Sequence, residues 1–247
     1  MKNNNKGFAM KKTFYTLIAG VAALATVGCG GNAAQPANEP ADAPAEVLLT
    51  TTAGPIRIQL SDLTPLHRDN FLKLTREGYF DSVLFHRVIA DFMIQTGDPD
   101  SKQASDRSQP LGMGGPDYTV PAEFRFPQLA HVRGAVAAAR TGDHMNPQRA
   151  SSGSQFYIVW GSQFDAAMLS MMQAQNPTID WPDSLRRLYA TVGGTPHLDG
   201  AYTVFGQVVE GLEVVEAIQG VATDNYDRPI EDVRIIRAEV IEPQPAE

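Results

Sequence analysis

Short apolar runs separated by Gly or Pro make up most of the chain. In "VLLTTTAGPIRIQL", two such runs flank Ala53-Gly54-Pro55, which predicts a β-hairpin. "GAVAAAR" at 134–140, "SQFYIVW" at 154–160 and the alternating "VRIIRAEVIE" near the end predict further strands. Strands outnumber helices, and no strand–helix–strand alternation favours a parallel sheet. We therefore expect a mainly β fold, built as a closed antiparallel barrel.

Two segments have helical spacing instead. "TPLHRDNFLKLTREGYF" places Phe71 and Leu74 on one face, with Thr64 as the expected N-cap and Gly78 as the end. "GLEVVEAIQG" predicts a second helix that is capped near Gly211. These two segments are the expected core helices.

The strand rhythm stops between positions 161 and 195, where we predict an inserted helical hairpin. A partner-binding lid is an alternative role for this insertion. Its apolar stripes, which we expect to pack against the barrel, comprise Met168, Met171 and Met172 in the first helix and Leu185, Leu188, Tyr189 and Val192 in the second.

The first 28 residues have the pattern of a secretion signal. Four lysines precede the apolar run "FYTLIAGVAALATVG", and Cys29 follows it. The run is shorter than the roughly 20 residues that a membrane span needs. "ATVGCGG" resembles a bacterial lipobox, in which signal peptidase cuts before the cysteine and the thiol then carries a lipid. Thr26 stands where leucine is usual in this motif. An ordinary thiol is the alternative for Cys29, the only cysteine of the chain.

Residues 29–46, rich in Ala and Pro, are predicted to be a disordered tether to the folded domain at 47–243, with a tail at 244–247. Without the four signal lysines the chain has 16 basic against 28 acidic residues, a net charge of −12. Such a charge argues against nucleic acid as a partner. We expect a monomer that is held to the cell envelope by lipid at Cys29 and faces the periplasm, with the outer membrane favoured over the inner.

Ordinary catalytic motifs are missing from the sequence. The histidines at 67, 86, 131, 144 and 197 have no metal-ligand spacing and form no HExxH motif. Ser154 lacks the G-x-S-x-G elbow, and "GMGGP" at 112–116 opens no predicted helix. We expect no metal and no cofactor.

Arg87 is the unusual residue, because it is a permanent charge within the apolar stretch "FHRVIADFMIQTGDP" at 85–99. Removing the water from a charge costs roughly several kcal/mol, so a buried arginine must be paired or functional. The alternative is a strand arginine whose guanidinium reaches solvent.

"FHRVIADFMIQTGDP" resembles the signature of the cyclophilins, the peptidyl-prolyl cis/trans isomerases. "NFLKLTREGYFDS" before it, and "GAVAAAR", "SSGSQFYI" and "HLDGAYTVFGQVVEGLEVV" after it, also resemble cyclophilin motifs and occur in the family's order. The likeness covers about residues 47–242 apart from the insertion.

The resemblance implies an eight-stranded antiparallel closed barrel capped by two helices, with a groove for proline-containing polypeptides on its outside. By position, Arg87 matches the essential arginine, and Gln95 and Gln155 match the glutamines that orient it and hold the substrate backbone. Ala139 and Arg140 match the strand that pairs with the peptide. The family positions that form the proline pocket and the edge of the groove are matched by Phe92, Met93, Tyr157, His197, Leu198 and Tyr202.

Four positions depart from the usual family residues. Tyr157 replaces phenylalanine and adds a hydroxyl that must reach water or a partner. Thr96 replaces a glycine, His197 a tryptophan and Tyr202 a histidine. The expected function is isomerisation of X-Pro bonds in exported proteins, with Arg87 assisting. The alternatives are a catalytically weak scaffold or chaperone module that binds proline peptides, and a structural envelope lipoprotein.

Overall fold

The computed structural model describes residues 44–104 and 106–241. The predicted signal peptide, Cys29 and the tail at 244–247 lie outside the described residues, as does the tether except for its last three positions. The strands are β1 (Glu46–Thr51), β2 (Gly54–Leu60), β3 (Arg87–Ile89), β4 (Met93–Thr96), β5 (Thr119–Val120), β6 (Ala135–Ala138), β7 (Ser151–Ser152), β8 (Phe156–Val159), β9 (Val204–Glu210) and β10 (Ile235–Ile241).

Eight of these strands form one antiparallel sheet in the order β10-β1-β2-β9-β6-β8-β4-β3, and β5 pairs with β7. β1 and β2 are the predicted hairpin around Gly54. Their buried residues alternate, because successive side chains of a strand point to opposite faces. The mainly β prediction is therefore confirmed.

The expected closure of the barrel is wrong, since the eight-stranded sheet is curled but open. β10 and β3 lie at its two ends, and the segment just before β3 bonds to the start of β10 through a short bridge around Leu84 and Arg234. The edge of β3 is occupied by a loop, because the N–H of Val88 donates to the carbonyl of Asp227 at 2.7 Å.

Four helices accompany the sheet in the described part of the chain: α1 (Pro65–Arg76), α2 (Ala166–Gln175), α3 (Asp183–Thr191) and α4 (Leu212–Gln219). α1 packs against β10 and β9, and α4 packs against β2, β3 and β4. Thr64 is the N-cap residue of α1, as expected, but its side chain caps no N–H. The Glu123 carboxylate accepts from the N–H groups of Leu66 and His67 instead, at 3.2 and 3.0 Å.

The insertion at 161–195 contains α2 and α3, as the spacing predicts. Its packing face differs from the expected one, since Met168 and Met171 are exposed. The expected stripe of α3 also divides, because Leu188 and Val192 are exposed as well. The interior of the hairpin forms, together with Ala130 outside it, a separate cluster that contains Leu169, Trp181, Leu185 and Tyr189. Among the described residues, no helix combines the length and apolar character that a membrane crossing requires.

Candidate active site

The outer face of the sheet around β8 carries its own apolar cluster. Along β8, Phe156 and Ile158 point into the main core, whereas Tyr157 and Val159 point to the other side. A cavity of about 120 Å³ opens over this outer cluster. It is lined by Arg87, Phe92, Met93, Gln95, Ala139, Arg140, Tyr157, Leu198 and Tyr202.

The strand register brings the polar and apolar walls of this cavity together. Arg87, which begins β3, lies opposite Gln95 of β4. Gln95 in turn lies opposite Tyr157 of β8. All three side chains share one face of the sheet because residues that are directly opposite in antiparallel strands project to the same side.

Arg87 lies at the mouth of the cavity. Its side chain is 41% exposed, so the expectation of a buried charge needs correction. Its Nη1 donates to Gln95 Oε1 at 3.3 Å, and its Nε lies 3.5 Å from Asp227 Oδ2. The loop that occupies the edge of β3 supplies this carboxylate.

A directional chain of hydrogen bonds holds Gln95. Its Nε2 donates to Gln155 Oε1 at 3.2 Å, and Gln155 Nε2 donates to the Gly114 carbonyl at 2.7 Å. Because that carbonyl can only accept, the orientation of both amides is fixed. Gln95 therefore presents its oxygen to Arg87. Gln155 supports the site without lining the cavity.

Aromatic side chains form the rest of the rim. His197 does not line the cavity, but its ring stacks on Phe92 with centroids 5.6 Å apart. Tyr202 stands edge-on to Tyr157, with centroids 6.1 Å apart. The Arg140 guanidinium lies 4.3 Å from the centroid of the Tyr202 ring, which is within the range of a cation–π contact.

The predicted pairing between Ala139 and a peptide needs correction. The Ala139 N–H donates to the Gln155 carbonyl at 2.9 Å, and the Ala139 carbonyl accepts from Ser152 N–H at 2.8 Å. Its N–H is therefore already used within the protein, and Ala139 serves as an apolar wall. Arg140 also has a role that the sequence did not indicate, because its side chain is only 4% exposed and forms an ion pair with Asp143 at 2.7 Å.

Two of the four departures have direct structural explanations. The Thr96 hydroxyl donates to the Leu84 carbonyl at 2.8 Å, which ties β4 to the segment before β3. The Tyr157 hydroxyl lies 3.1 Å from His131 Nε2. Burial raises the pKa of Tyr157 well above its usual value, so the hydroxyl stays protonated.

His131 and Asp199 are the residues near the cavity that sequence reasoning missed. His131 Nδ1 lies 3.0 Å from Asp199 Oδ1, and both side chains are almost fully buried. Asp199 Oδ2 accepts from Trp181 and Tyr189 of the insertion. No sequence signal joins His131 to Asp199, because 68 positions separate them. "HLDG" at 197–200, within a quoted motif, was the only available hint.

A larger cavity of about 410 Å³ adjoins the first and shares Gln95, Ala139 and Arg140 with it. Among residues 44–104 and 106–241, no group of three His, Cys, Asp or Glu side chains could hold a metal ion.

Comparison with known proteins places the chain in a family. The profile of the family described as cyclophilin type peptidyl-prolyl cis-trans isomerase/CLD matches residues 46–240. A Staphylococcus saprophyticus protein that carries a peptidyl-prolyl cis-trans isomerase name is 36% identical over 200 residues, covering 80% of this chain and 92% of that protein. An Arabidopsis thaliana peptidyl-prolyl cis-trans isomerase is 33% identical over 207 residues, covering 82% and 98%.

Solved structures show the same fold. A Cryptosporidium parvum cyclophilin type peptidyl-prolyl cis-trans isomerase superposes with a TM-score of 0.58 at 22% identity, covering 82% of this chain and all of that one. A second structure of that protein, obtained in the presence of the dipeptide Ala-Pro, superposes with a TM-score of 0.56 at 22% identity, covering 80% of this chain and 99% of that one. The chain therefore belongs to the cyclophilin-type family and is a peptidyl-prolyl cis-trans isomerase.

Proposed function

We propose that the chain accelerates X-Pro rotation by seating the proline ring in the 120 Å³ cavity and directing Arg87 at the prolyl nitrogen. The uncatalysed barrier is about 18–20 kcal/mol because rotation breaks the amide resonance. In the twisted state the nitrogen recovers a lone pair, which a fixed donor stabilises. The reaction needs no acid, base or nucleophile.

The observation that carries this proposal is the fixed position of the guanidinium. Gln95 and Asp227 contact Arg87 from two sides, and Gln155 fixes the amide of Gln95. A donor that is already oriented needs no reorganisation when charge develops, so its contribution to the transition state is large. The apolar walls add to this effect because they exclude water from the planar amide.

Tyr157 is compatible with an apolar floor despite its hydroxyl. The oxygen bonds to His131, on the buried side of the cluster. The ring itself lines the cavity, and Met93 packs beside it in the same cluster. The proline would therefore meet carbon atoms at the floor.

Exchange NMR on a short Ala-Pro peptide tests the mechanism, and the Cryptosporidium structure obtained in the presence of the dipeptide Ala-Pro supports this choice of substrate. Arg87→Ala should lower kcat/KM by about 10²–10³-fold, the usual effect of removing one oriented donor. Arg87→Lys should fall between this variant and the wild type, since lysine keeps the charge but loses the planar fork.

Arg57→Ala is the matched control. The Arg57 side chain is 34% exposed and forms ion pairs with Glu46 and Glu210, yet it does not line the cavity. Its turnover should equal that of the wild type. Equal turnover by Arg87→Ala would refute the assisted mechanism.

We further propose that the enzyme acts on exported proteins from a lipid anchor at Cys29, on the periplasmic side of the cell envelope. The lysine-rich start, the short apolar run and the lipobox-like "ATVGCGG" support this location. Radiolabelled palmitate should be incorporated into the wild type and not into Cys29→Ser. Labelling of both forms, or of neither, would contradict the anchor.

A further inference from the structure

A buried chain of hydrogen bonds connects the floor of the proline pocket to the inserted hairpin. It runs from the Tyr157 hydroxyl to His131 Nε2 and from His131 Nδ1 to Asp199 Oδ1, at 3.1 and 3.0 Å. Asp199 Oδ2 then accepts from Trp181 Nε1 at 2.8 Å and from the Tyr189 hydroxyl at 2.5 Å. Only Tyr157 among these five residues lines the pocket.

Asp199 sets the direction of the whole chain. Its carboxylate also accepts the backbone N–H of His131 at 2.8 Å, so four donors converge on it. Because a carboxylate only accepts, His131 Nδ1 must carry a proton. In the neutral ring Nε2 is then an acceptor, and the Tyr157 hydroxyl donates to it.

The hairpin provides two of the four hydrogen-bond donors to Asp199. Tyr189 of α3 is fully buried, and Trp181, just before α3, is 3% exposed. The two rings pack with Leu169 of α2. The backbone of His131 is fixed beside them, because its carbonyl accepts from Thr195 N–H at 2.8 Å, where the insertion ends.

A buried hydroxyl without a partner is unfavourable. Without His131 in this position, the Tyr157 ring would have to move until its hydroxyl reached water, and the pocket is the exposed space beside that ring. Such a movement would put a polar group where the proline ring binds. The hydrogen-bond chain thus keeps the floor both apolar and in place.

We infer that His131 and Asp199 are positioning residues for the proline pocket and that the inserted hairpin, through Trp181 and Tyr189, holds them. The inference rests on the proposed function, because it assigns this chain of hydrogen bonds to the pocket in which the proline binds. The hairpin then completes the floor of the active site from behind.

Two substitutions in the hairpin that each remove a donor to Asp199 test the inference. Tyr189→Phe and Trp181→Phe each remove one donor to Asp199, and neither residue lines the pocket. Each should lower kcat/KM for the Ala-Pro peptide by about twofold to thirtyfold, the usual range for mutations along a coupled network. Ser151→Ala is the matched control. It removes the hydroxyl that is bonded to His67 Nε2 at 2.9 Å, and this hydroxyl is not part of the hydrogen-bond chain from Tyr157 to Asp199.

A double-mutant cycle separates positioning from mere stability. If the effect passes through the Tyr157 hydroxyl, Tyr189→Phe should lose most of its effect on kcat/KM in a Tyr157→Phe background. Full additivity of the two variants, after correction for the folded fraction, would overturn the inference. So would wild-type kcat/KM in both hairpin variants.

Two further measurements do not depend on turnover. The ¹³C-methyl signal of Met93, which packs with Tyr157, should shift in the hairpin variants and not in Ser151→Ala. Because coupling is reciprocal, Tyr157→Phe should speed amide exchange at Phe164, whose N–H donates to the Tyr189 carbonyl at 3.0 Å. A wild type that fails to accelerate the peptide would refute the proposed function, whereas unchanged Met93 and Phe164 signals would refute the positioning role.

Discussion

His67 and His131 have matching hydrogen-bond partners in two different regions of the molecule. His67 Nδ1 lies 2.7 Å from Glu123 Oε2, and its Nε2 lies 2.9 Å from Ser151 Oγ. His131 has the same arrangement with Asp199 and with the Tyr157 hydroxyl. We refer to Ser151, His67 and Glu123 as the His67 chain, and to Tyr157, His131 and Asp199 as the His131 chain.

The two chains end in different places. Glu123 also accepts from two N–H groups at the start of α1, so the His67 chain ends on a helix terminus. None of its three members lines the proline pocket. The His131 chain instead begins at the pocket floor and ends on the inserted hairpin. The same donors and acceptors thus secure a helix in one region and a binding surface in the other.

Removal of either carboxylate should have the largest effect. Glu123→Ala and Asp199→Ala each leave several buried donors unpaired, and we expect each to lower the free energy of unfolding by about 3–5 kcal/mol. Urea denaturation measures this loss. Only Asp199→Ala should also lower kcat/KM per folded molecule.

The same assay applied to both variants provides the control. A loss of turnover by folded Glu123→Ala equal to that of Asp199→Ala would remove the distinction between the two chains.

Much of the fold follows from local patterns. The hairpin at Gly54, α1, α4 and the two inserted helices could be predicted because alternation, helical spacing and turn residues are properties of short segments. The motif around Arg87 likewise identified four of the nine residues that line the pocket, and the later motifs identified the other five. The partnership of His131 with Asp199 could not be predicted, because it joins side chains that only the folded chain brings together.

The incorrect predictions have a common physical origin, because each depends on residues that are distant in sequence and become neighbours only in the folded protein. The Arg87 side chain is 41% exposed, and its carboxylate partner, Asp227, comes from a distant loop. Met168 and Met171 have helical spacing but face outward, since Trp181 and Tyr189 already fill the interior of the hairpin. Thr64 occupies the N-cap position but its side chain caps no N–H, because the Glu123 carboxylate, a stronger acceptor, bonds to the first N–H groups of α1.

A backbone change at the base of the insertion should disturb the His131 chain alone. Gly194 has a φ of +151°, and a Cβ there would lie 2.2 Å from the His131 carbonyl oxygen and 2.8 Å from Tyr189 Cε1. Gly194→Ala should therefore cost about 3 kcal/mol of unfolding free energy and lower kcat/KM. Gly142→Ala, where no atom lies within 4 Å of the added Cβ, is the control and should behave like the wild type. Unchanged turnover in folded Gly194→Ala would argue against coupling through the insertion.

Low pH should affect a buried histidine that has no carboxylate partner more than histidines that have one. Burial lowers the pKa of His67, but its hydrogen bond to Glu123 opposes the shift. In the described part of the chain, neither ring nitrogen of His86 is bonded to a carboxylate, and burial lowers the pKa of His86 to about 4.

Between pH 6.5 and 4 the unfolded state therefore binds a proton at His86 that the folded state does not, so stability falls as pH falls. The expected loss from His86 is about 2 kcal/mol at pH 5. Urea unfolding at pH 7 and pH 5 measures the loss, and His86→Phe should reduce it by about that amount. An equally steep pH dependence in His86→Phe would show that other groups cause the loss.

The smallest effect concerns Thr64, the N-cap residue of α1. Thr64→Val removes the hydroxyl while keeping the shape of the side chain. A true N-cap loses about 1 kcal/mol on such a change, but the Thr64 hydroxyl contacts only the Ser61 carbonyl, at 3.4 Å. We expect a loss below about 0.5 kcal/mol in urea denaturation, because Glu123 already satisfies the first N–H groups of the helix. A loss of about 1 kcal/mol, as for a true N-cap, would show that the His67 chain does not secure α1. The two hydrogen-bond chains would then differ only in that one of them reaches the proline pocket.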